Sequence, residues 1–304
     1  MRKLLFILNP VAGRKASQLT LYRQIELFSA EGWEVTVYPT RKQGDAERIT
    51  LKRAADFDMV YCSGGDGTLS ETASGLMRLG LAQPPVLGYI PSGTTNDFAQ
   101  GMRVGGGLQY LRQCVRGGAP APLDAGVFNS SYFVYLAAFG FLTQVGYTTP
   151  QSAKNALGRA AYFFEGARRL PEVRPYRMRI TANGKTREGN FLFGAVTNSL
   201  SVAGLIRYDT DSVAFDDGQF EALFIEDPES PPTLTRIFVE AMNAHYSDPH
   251  VHLFKSKRIR VECGEEVPWC LDGENGGLHK KADIICLPRR LRLLRPLAGD
   301  KKGV

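Results

Sequence analysis

Long apolar runs are missing from this 304-residue chain. The longest nearly apolar stretch, Tyr132 to Leu142, is far shorter than the ~20 residues of a membrane-spanning helix, so any membrane contact is expected to be peripheral. The N-terminal Met1–Leu8 stretch mimics a signal peptide, but its apolar core is short and Asn9–Pro10 breaks it; it reads better as a first buried strand. Cysteine is scarce, with five residues and no C-x-x-C spacing. That argues against a zinc ribbon or a disulfide framework and suits a reducing cytoplasm. Histidine is scarcer still, at four. His250 and His252 fall on one strand face, but with His245 they complete no recognised metal spacing and read as ordinary sheet residues. There is no block of Lys and Arg, so the net charge of +6 favours small anionic partners or an acidic lipid surface over nucleic acid. Internal repeats, low-complexity linkers and a G-x-x-x-x-G-K-[ST] loop are also missing, which excludes a solenoid and a Walker-type nucleotide site.

What is present is alternation of strands and helices over the first 120 residues. Lys3–Leu8 reads as a strand, followed by the turn Asn9–Pro10–Val11–Ala12–Gly13–Arg14–Lys15. A helix from about Ser17 carries Leu21, Ile25 and Phe28 on one face. Glu34–Tyr38 is a strand and Gly44–Asp45 opens a second helix with Ala46, Ile49 and Ala54. Phe57–Cys62 is a buried strand running into Ser63–Gly64–Gly65–Asp66–Gly67–Thr68–Leu69–Ser70–Glu71, and a helix with Leu69, Ala73, Leu76 and Met77 follows. Val86–Ile90 leads into Pro91–Ala99. Short loops between such elements predict a doubly wound, mostly parallel α/β sheet.

In such a sheet ligands bind outside the carboxyl ends of the strands. Asn9–Gly13, Thr40, Gly64–Thr68 and Pro91–Asp97 all follow strands and would line one rim. The glycine turn aims backbone N–H groups and a positive helix end at phosphate. Thr68 and Glu71 have capping-box spacing, and Thr94 or Thr95 is placed to cap the next helix. Asp66 would repel a bare phosphate, so it implies a metal ion, a hydroxyl or a water. Arg14 and Lys15 are candidate phosphate partners, and Asn96 and Asp97 candidate metal or substrate residues. Each turn taken alone also reads as an ordinary strand-to-helix connection.

The three motifs Asn9–Pro10–x–x–Gly13, Gly64–Gly65–Asp66–Gly67–Thr68 and Gly93–Thr94–x–Asn96–Asp97–Phe98–Ala99, in this order, resemble the diacylglycerol kinase catalytic family. The bacterial lipid kinases are nearest, and sphingosine and ceramide kinases are relatives. Gly-Gly-Asp-Gly alone also occurs in NAD kinases and phosphofructokinases. The likeness continues through Leu157–Tyr162, Asn190–Asn198, Asp216–Asp217–Gly218 and Asp272–Gly273–Glu274. Departures at Ser199–Tyr208 and Pro268–Cys270 leave the acceptor lipid open.

From about Pro122 the pattern changes to period-two strands: Tyr132–Leu136, Tyr176–Ile180, Phe191–Val196, Phe220–Ile225, Val251–Phe254 and Arg258–Val261. Ala182–Asn183–Gly184–Lys185 reads as a hairpin turn. Helices are expected near Ala153–Leu170 and Pro232–Ala244, and Ile284–Leu287 and Leu291–Leu294 read as two closing strands. The resemblance implies a nucleotide-binding α/β domain formed by residues 1–121 and about 287–304. It implies an antiparallel β-sandwich substrate domain over 122–286, with an active site between them.

It further implies an ATP- and Mg²⁺-dependent kinase acting on a lipid hydroxyl, diacylglycerol-like foremost, at a membrane surface. ATP would be held by Asn9, Pro10, Gly13, Thr40, Gly64, Gly65, Asp66, Gly67, Thr68, Thr94 and Asn96. Glu274 would accept the hydroxyl proton, with Asp272 and Asp66 as catalytic partners. A Gly between two carboxylates is expected to turn both Asp272 and Glu274 toward a cleft. A structural Mg²⁺ would take backbone carbonyls of Ala214 and Gln219 and the carboxylate of Asp217. Phe163–Phe164, Arg168–Arg169, Arg174, Arg177 and Arg179 either meet an anionic bilayer or form a packed helix with a solvated basic face. An NAD kinase and a non-catalytic nucleotide-sensing regulator are the alternatives. Oligomeric state, a homodimer included, stays open.

Overall fold

The computed structural model describes residues 1–12, 17–140 and 174–297, with the backbone alone for residues 17–20. Gly13, Arg14, Lys15, the expected helix Ala153–Leu170 and the Phe163–Arg169 segment lie outside the described residues. The chain forms two compact units. One comprises Met1–Ala125 with Pro288–Val304, the other Gly126–Leu287.

Unit 1 is the expected wound sheet. Strands β1 (Arg2–Leu8), β2 (Trp33–Pro39), β3 (Met59–Gly64) and β4 (Val86–Pro91) are joined through α1 (Ser17–Ala30), α2 (Asp45–Arg53) and α3 (Asp66–Arg78). β1 pairs in parallel with both β2 and β3, and β3 with β4. α4 (Asp97–Gly101), α5 (Leu108–Gly117) and β5 (Gly118–Phe128) follow. Alternation along the strands sorts the core to two faces. Leu4, Phe6, Met59 and Tyr61 pack with Phe28 and Leu111, from α1 and α5, whereas Cys62 faces Thr72 of α3. Leu69, Ala73, Leu76 and Met77, the predicted apolar stripe of α3, are all buried. Both sheet faces are therefore covered, as an all-parallel sheet requires.

Unit 2 is antiparallel. It contains β6 (Ser131–Phe133), β7 (Leu136–Gly140), β8 (Tyr176–Ala182), β9 (Lys185–Thr197), β10 (Ser201–Val202), β11 (Ile206–Arg207), β12 (Phe220–Glu226), α6 (Pro231–Met242), β13 (Val251–Ser256), β14 (Arg258–Leu271) and most of β15 (Glu274–Pro296). β13, β12, β9, β7, β14 and β15 lie in that order, and β8 pairs with both β9 and β14. One end of each long strand thus meets β7 and the other end β8, folding the layer back on itself. The β14 register shifts between Glu262 and Val267 where it meets β15, a bulge that lets a long strand bend. Phe128, Phe133, Phe139, Phe191, Phe224 and Trp269 fill the interior. The Asn183–Gly184 turn has both residues at positive φ and pairs Ala182 with Lys185, the expected hairpin.

Three expectations are corrected. Tyr132–Leu136 is not one strand: β6 ends at Phe133 and β7 starts at Leu136, because the N–H groups of Val134, Tyr135 and Leu136 bond to a carboxylate, not to a neighbouring strand. Arg258–Val261 is only the start of a 14-residue strand. The two tail strands are one element. β15 pairs with β14 through Ile285, passes Arg289 at φ +50°, and pairs in parallel with β4 at Leu293. The Arg289 N–H at this kink is taken by buried Asp124 at 2.6 Å. Among the described residues, no helix is long and apolar enough to cross a membrane.

Candidate active site

In unit 1 the loops after β1, β2, β3 and β4 are tied to one another at the carboxyl edge. Asn9 donates its backbone N–H to Ser63 O (2.9 Å) and its side-chain amide to Thr68 Oγ1 (3.2 Å). Thr40 donates its backbone N–H to Leu8 O at 2.7 Å. Ser92 donates its N–H to Gly64 O at 2.8 Å, and the buried Tyr89 hydroxyl reaches the same carbonyl at 3.3 Å. The glycine-rich turns then touch backbone to backbone. A Cβ on Gly93 would lie 2.6 Å from the Gly65 Cα, and one on Gly64 would lie within 2.8 Å of three Thr68 side-chain atoms. This close approach is why the two turns are built of glycine.

Asp66 joins them. One carboxylate oxygen accepts the N–H of Asp97 at 2.9 Å and the other that of Phe98 at 3.1 Å. Burial pushes the Asp66 carboxyl above its ordinary range, and the backbone N–H groups of Asp97 and Phe98 oppose that shift. The carboxylate therefore caps α4 from a neighbouring helix. This corrects the expectation that Thr94 or Thr95 caps α4: Asn96 is the N-cap, at φ +50° and without a side-chain cap bond. Its amide instead closes the turn on Gly93, accepting the Gly93 N–H at 2.9 Å and donating to Gly93 O at 2.8 Å. Thr94 is exposed on this turn.

The capping box is corrected too. α3 begins at Asp66 with Gly65 as N-cap, and no side chain caps it. Thr68 lies within the first turn of α3, bonded to Asn9. Glu71 serves a different helix, accepting the N–H groups of Gly44 (2.7 Å) and Ala46 (3.1 Å) at the start of α2. Asp45 accepts the N–H of Arg41 at 2.9 Å and of Lys42 at 3.3 Å. These bonds, with Arg48, hold its carboxyl below the usual range. Two carboxylates thus fix the loop after Thr40.

In unit 2, Asp272 and Gly273 form the two-residue turn between β14 and β15, at φ +50° and +86°, with Leu271 paired to Glu274. Positive φ at both turn residues is the type I′ hairpin pattern, for which Asp-Gly is a preferred pair. The turn does not direct its carboxylates to one place. Asp272 is 1% exposed and accepts three backbone N–H groups, from Val134 (2.8 Å), Tyr135 (2.9 Å) and Leu136 (3.1 Å). Its own N–H donates to Leu136 O at 2.9 Å. Glu274, the first residue of β15, is exposed. Asp272 builds the hairpin onto the bend between β6 and β7, and Glu274 is the carboxylate presented to solvent.

Around Asp217, Gly218 takes φ +78°. Asp217 Oδ1 accepts the Gln219 N–H at 2.9 Å and Oδ2 accepts from Lys255 Nζ at 2.9 Å. Among the described residues no group of three His, Cys, Asp or Glu side chains is placed to hold a metal ion. His250 and His252 bond instead to Asp248 at 2.8 Å and Glu226 at 3.1 Å.

Known proteins place this arrangement. Residues 3–128 match the family described as Diacylglycerol kinase catalytic domain. Residues 138–295 match the YegS C-terminal NAD kinase beta sandwich-like domain. A diacylglycerol kinase of Bacillus subtilis (strain 168) is 31% identical over 97% of both chains. The chain belongs to the diacylglycerol kinase catalytic family. A diacylglycerol kinase of Staphylococcus aureus (strain JH9) is 31% identical over 95% of this chain and 91% of its own. The structure of a diacylglycerol kinase from Bacillus anthracis str. Sterne has the same fold, with a TM-score of 0.79 at 23% identity, covering 98% of each chain. Membership in the diacylglycerol kinase family makes the chain a phosphotransferase with an alcohol acceptor, and a user of ATP.

The roles that Glu71, Asp45 and Lys255 play escaped the sequence reading. Glu71 carried a local signal, but it pointed to the wrong helix. Lys255 had none, since its partners lie 38 and 34 residues away in sequence and meet it only through sheet register.

Proposed function

We propose that this diacylglycerol-kinase-family member transfers the γ-phosphoryl group of ATP to a lipid hydroxyl, with a diacylglycerol-like acceptor foremost. The observation that carries this reading is the start of α3. A 13-residue helix opens on a glycine N-cap that no side chain occupies, inside a frame of cross-tied turns. Backbone N–H groups at such a helix start favour phosphate. Gly64, Gly65, Gly67 and Thr68 would cradle the phosphates, with Thr94 and Asn96 on the adjoining turn and Asn9, Pro10 and Thr40 at the rim. Gly13 is assigned here by its motif alone.

Asp66 and Asp272 act as positioning residues, since each holds backbone N–H groups of another turn. With the nucleotide bound, the Asp66 carboxylate would organise a hydrated metal ion beside the phosphates. Mg²⁺, when bound with the nucleotide, offsets phosphate charge. Glu274 accepts the proton of the acceptor hydroxyl as its oxygen attacks the γ-phosphorus and ADP departs. The acceptor is a membrane lipid, so the protein works in peripheral contact with a bilayer.

The test supplies γ-labelled ATP with a lipid extract, purified diacylglycerol, or NAD. Label in an organic-phase phospholipid supports the reading. Label only in NADP, or in no acceptor, refutes it.

A further inference from the structure

The family likeness assigns a structural Mg²⁺ to Ala214, Asp217 and Gln219, and the residues around that turn point elsewhere. The Asp217 carboxylate is engaged on both oxygens by this chain's own donors, the Gln219 N–H and the Lys255 ammonium, each at 2.9 Å. The same ammonium stands 3.2 Å from Glu221 Oε1. Glu221 is 3% exposed, and the Lys255 ammonium is the cation beside its carboxylate. Burial pushes the Glu221 carboxyl up to about 7, and the Lys255 ammonium opposes that shift by favouring the charged form. Register brings the two together, because Glu221 on β12 lies directly opposite Lys255 on β13.

We propose that Lys255 is the resident cation of the Asp217–Glu221 cluster, so that unit 2 folds there without a divalent metal ion. A Mg²⁺ bound by Asp217 would have to share that carboxylate, and two acidic groups, with the like charge of the ammonium. An ammonium on a strand cannot diffuse away, and its three donors suit two carboxylates at hydrogen-bond and ion-pair distance. The consequence is a kinase whose need for Mg²⁺ is confined to the nucleotide. This inference is independent of the proposed catalytic roles, and its readout is stability.

The experiment uses the full-length, nucleotide-free protein after chelation, with thermal unfolding recorded in chelator and in excess Mg²⁺. The wild type is expected to have the same Tm in both. Lys255→Met is expected to melt lower, because it leaves two carboxylates without their cation, and a second substitution, Glu221→Gln, is expected to restore much of the loss. A wild-type Tm that rises with Mg²⁺, and no longer does so in Asp217→Asn, would overturn the proposal. So would a Lys255→Met protein as stable as the wild type. Should Lys255→Met fail to fold, Mn²⁺ titration of the nucleotide-free wild type and Asp217→Asn decides. Equal stoichiometry supports the ammonium, and one ion fewer in Asp217→Asn refutes it.

Discussion

Replacing Asp272 by Ala separates a positioning role from a chemical one. The substitution strips the acceptor from the N–H groups of Val134, Tyr135 and Leu136. A buried donor left unsatisfied costs about 1–3 kcal/mol. Alanine at φ +50° adds about 1–2 kcal/mol. Two effects work the other way: the bend between β6 and β7 can relax toward water, and a desolvated carboxylate disappears. A net loss of about 3–5 kcal/mol is expected, a large part of the ~5–15 kcal/mol that holds a domain folded. Asp272→Asn keeps one acceptor oxygen and tolerates positive φ, so it should lose about 1–3 kcal/mol. Urea unfolding followed by Trp269 fluorescence reads unit 2 directly, since Trp269 is buried in its core; a Trp33→Phe background removes the other tryptophan. If Asp272→Ala were as stable as the wild type while phosphoryl transfer collapsed, the positioning role would be wrong and Asp272 would belong to the chemistry.

Gly93→Ala puts a Cβ 2.6 Å from the Gly65 Cα and 2.9 Å from Asn96 Oδ1, so the two turns must part. The KM for ATP is expected to rise on the order of tenfold or more with fold retained, which initial-rate kinetics would show. Glu71→Ala leaves the α2 start without its acceptor and should lower unfolding stability by about 1–2 kcal/mol, measured by urea titration. Native-state alkylation with mass readout should label Cys263 first. It is the one cysteine that is not buried, while burial pushes the Cys62 thiol up to about 12 and the Cys114 thiol up to about 11.

The phosphate edge was legible because its signals are local. Each turn there follows a short buried strand and carries its own glycines, so order and spacing along the chain suffice. Partnerships across turns were not legible. Thr68 and Glu71 have capping spacing, yet the chain brings Gly44 and Ala46 to Glu71 and Asn9 to Thr68. Likewise Asp272 was read with Glu274 because they are neighbours in sequence. The I′ turn buries the first and exposes the second, and the groups that Asp272 serves are over 130 residues away. Strand lengths in unit 2 failed for a related reason. β14 and β15 bend and change partners midway, so polar residues and Pro288 fall inside them and look like ends. Alternation reports one face of one straight strand, and these strands have no single face.

In the proposed reaction the exposed carboxylate of Glu274 accepts the proton of a lipid hydroxyl during phosphoryl transfer from ATP. Glu274→Gln keeps the size and the exposed position of that side chain and removes its basicity. Organic-phase label from γ-labelled ATP in the presence of diacylglycerol, measured alongside the unfolding midpoint, tests it. Turnover is expected to fall by about 10²–10⁴-fold with an unchanged midpoint and unchanged ATP binding; near-normal turnover would remove Glu274 from the chemistry.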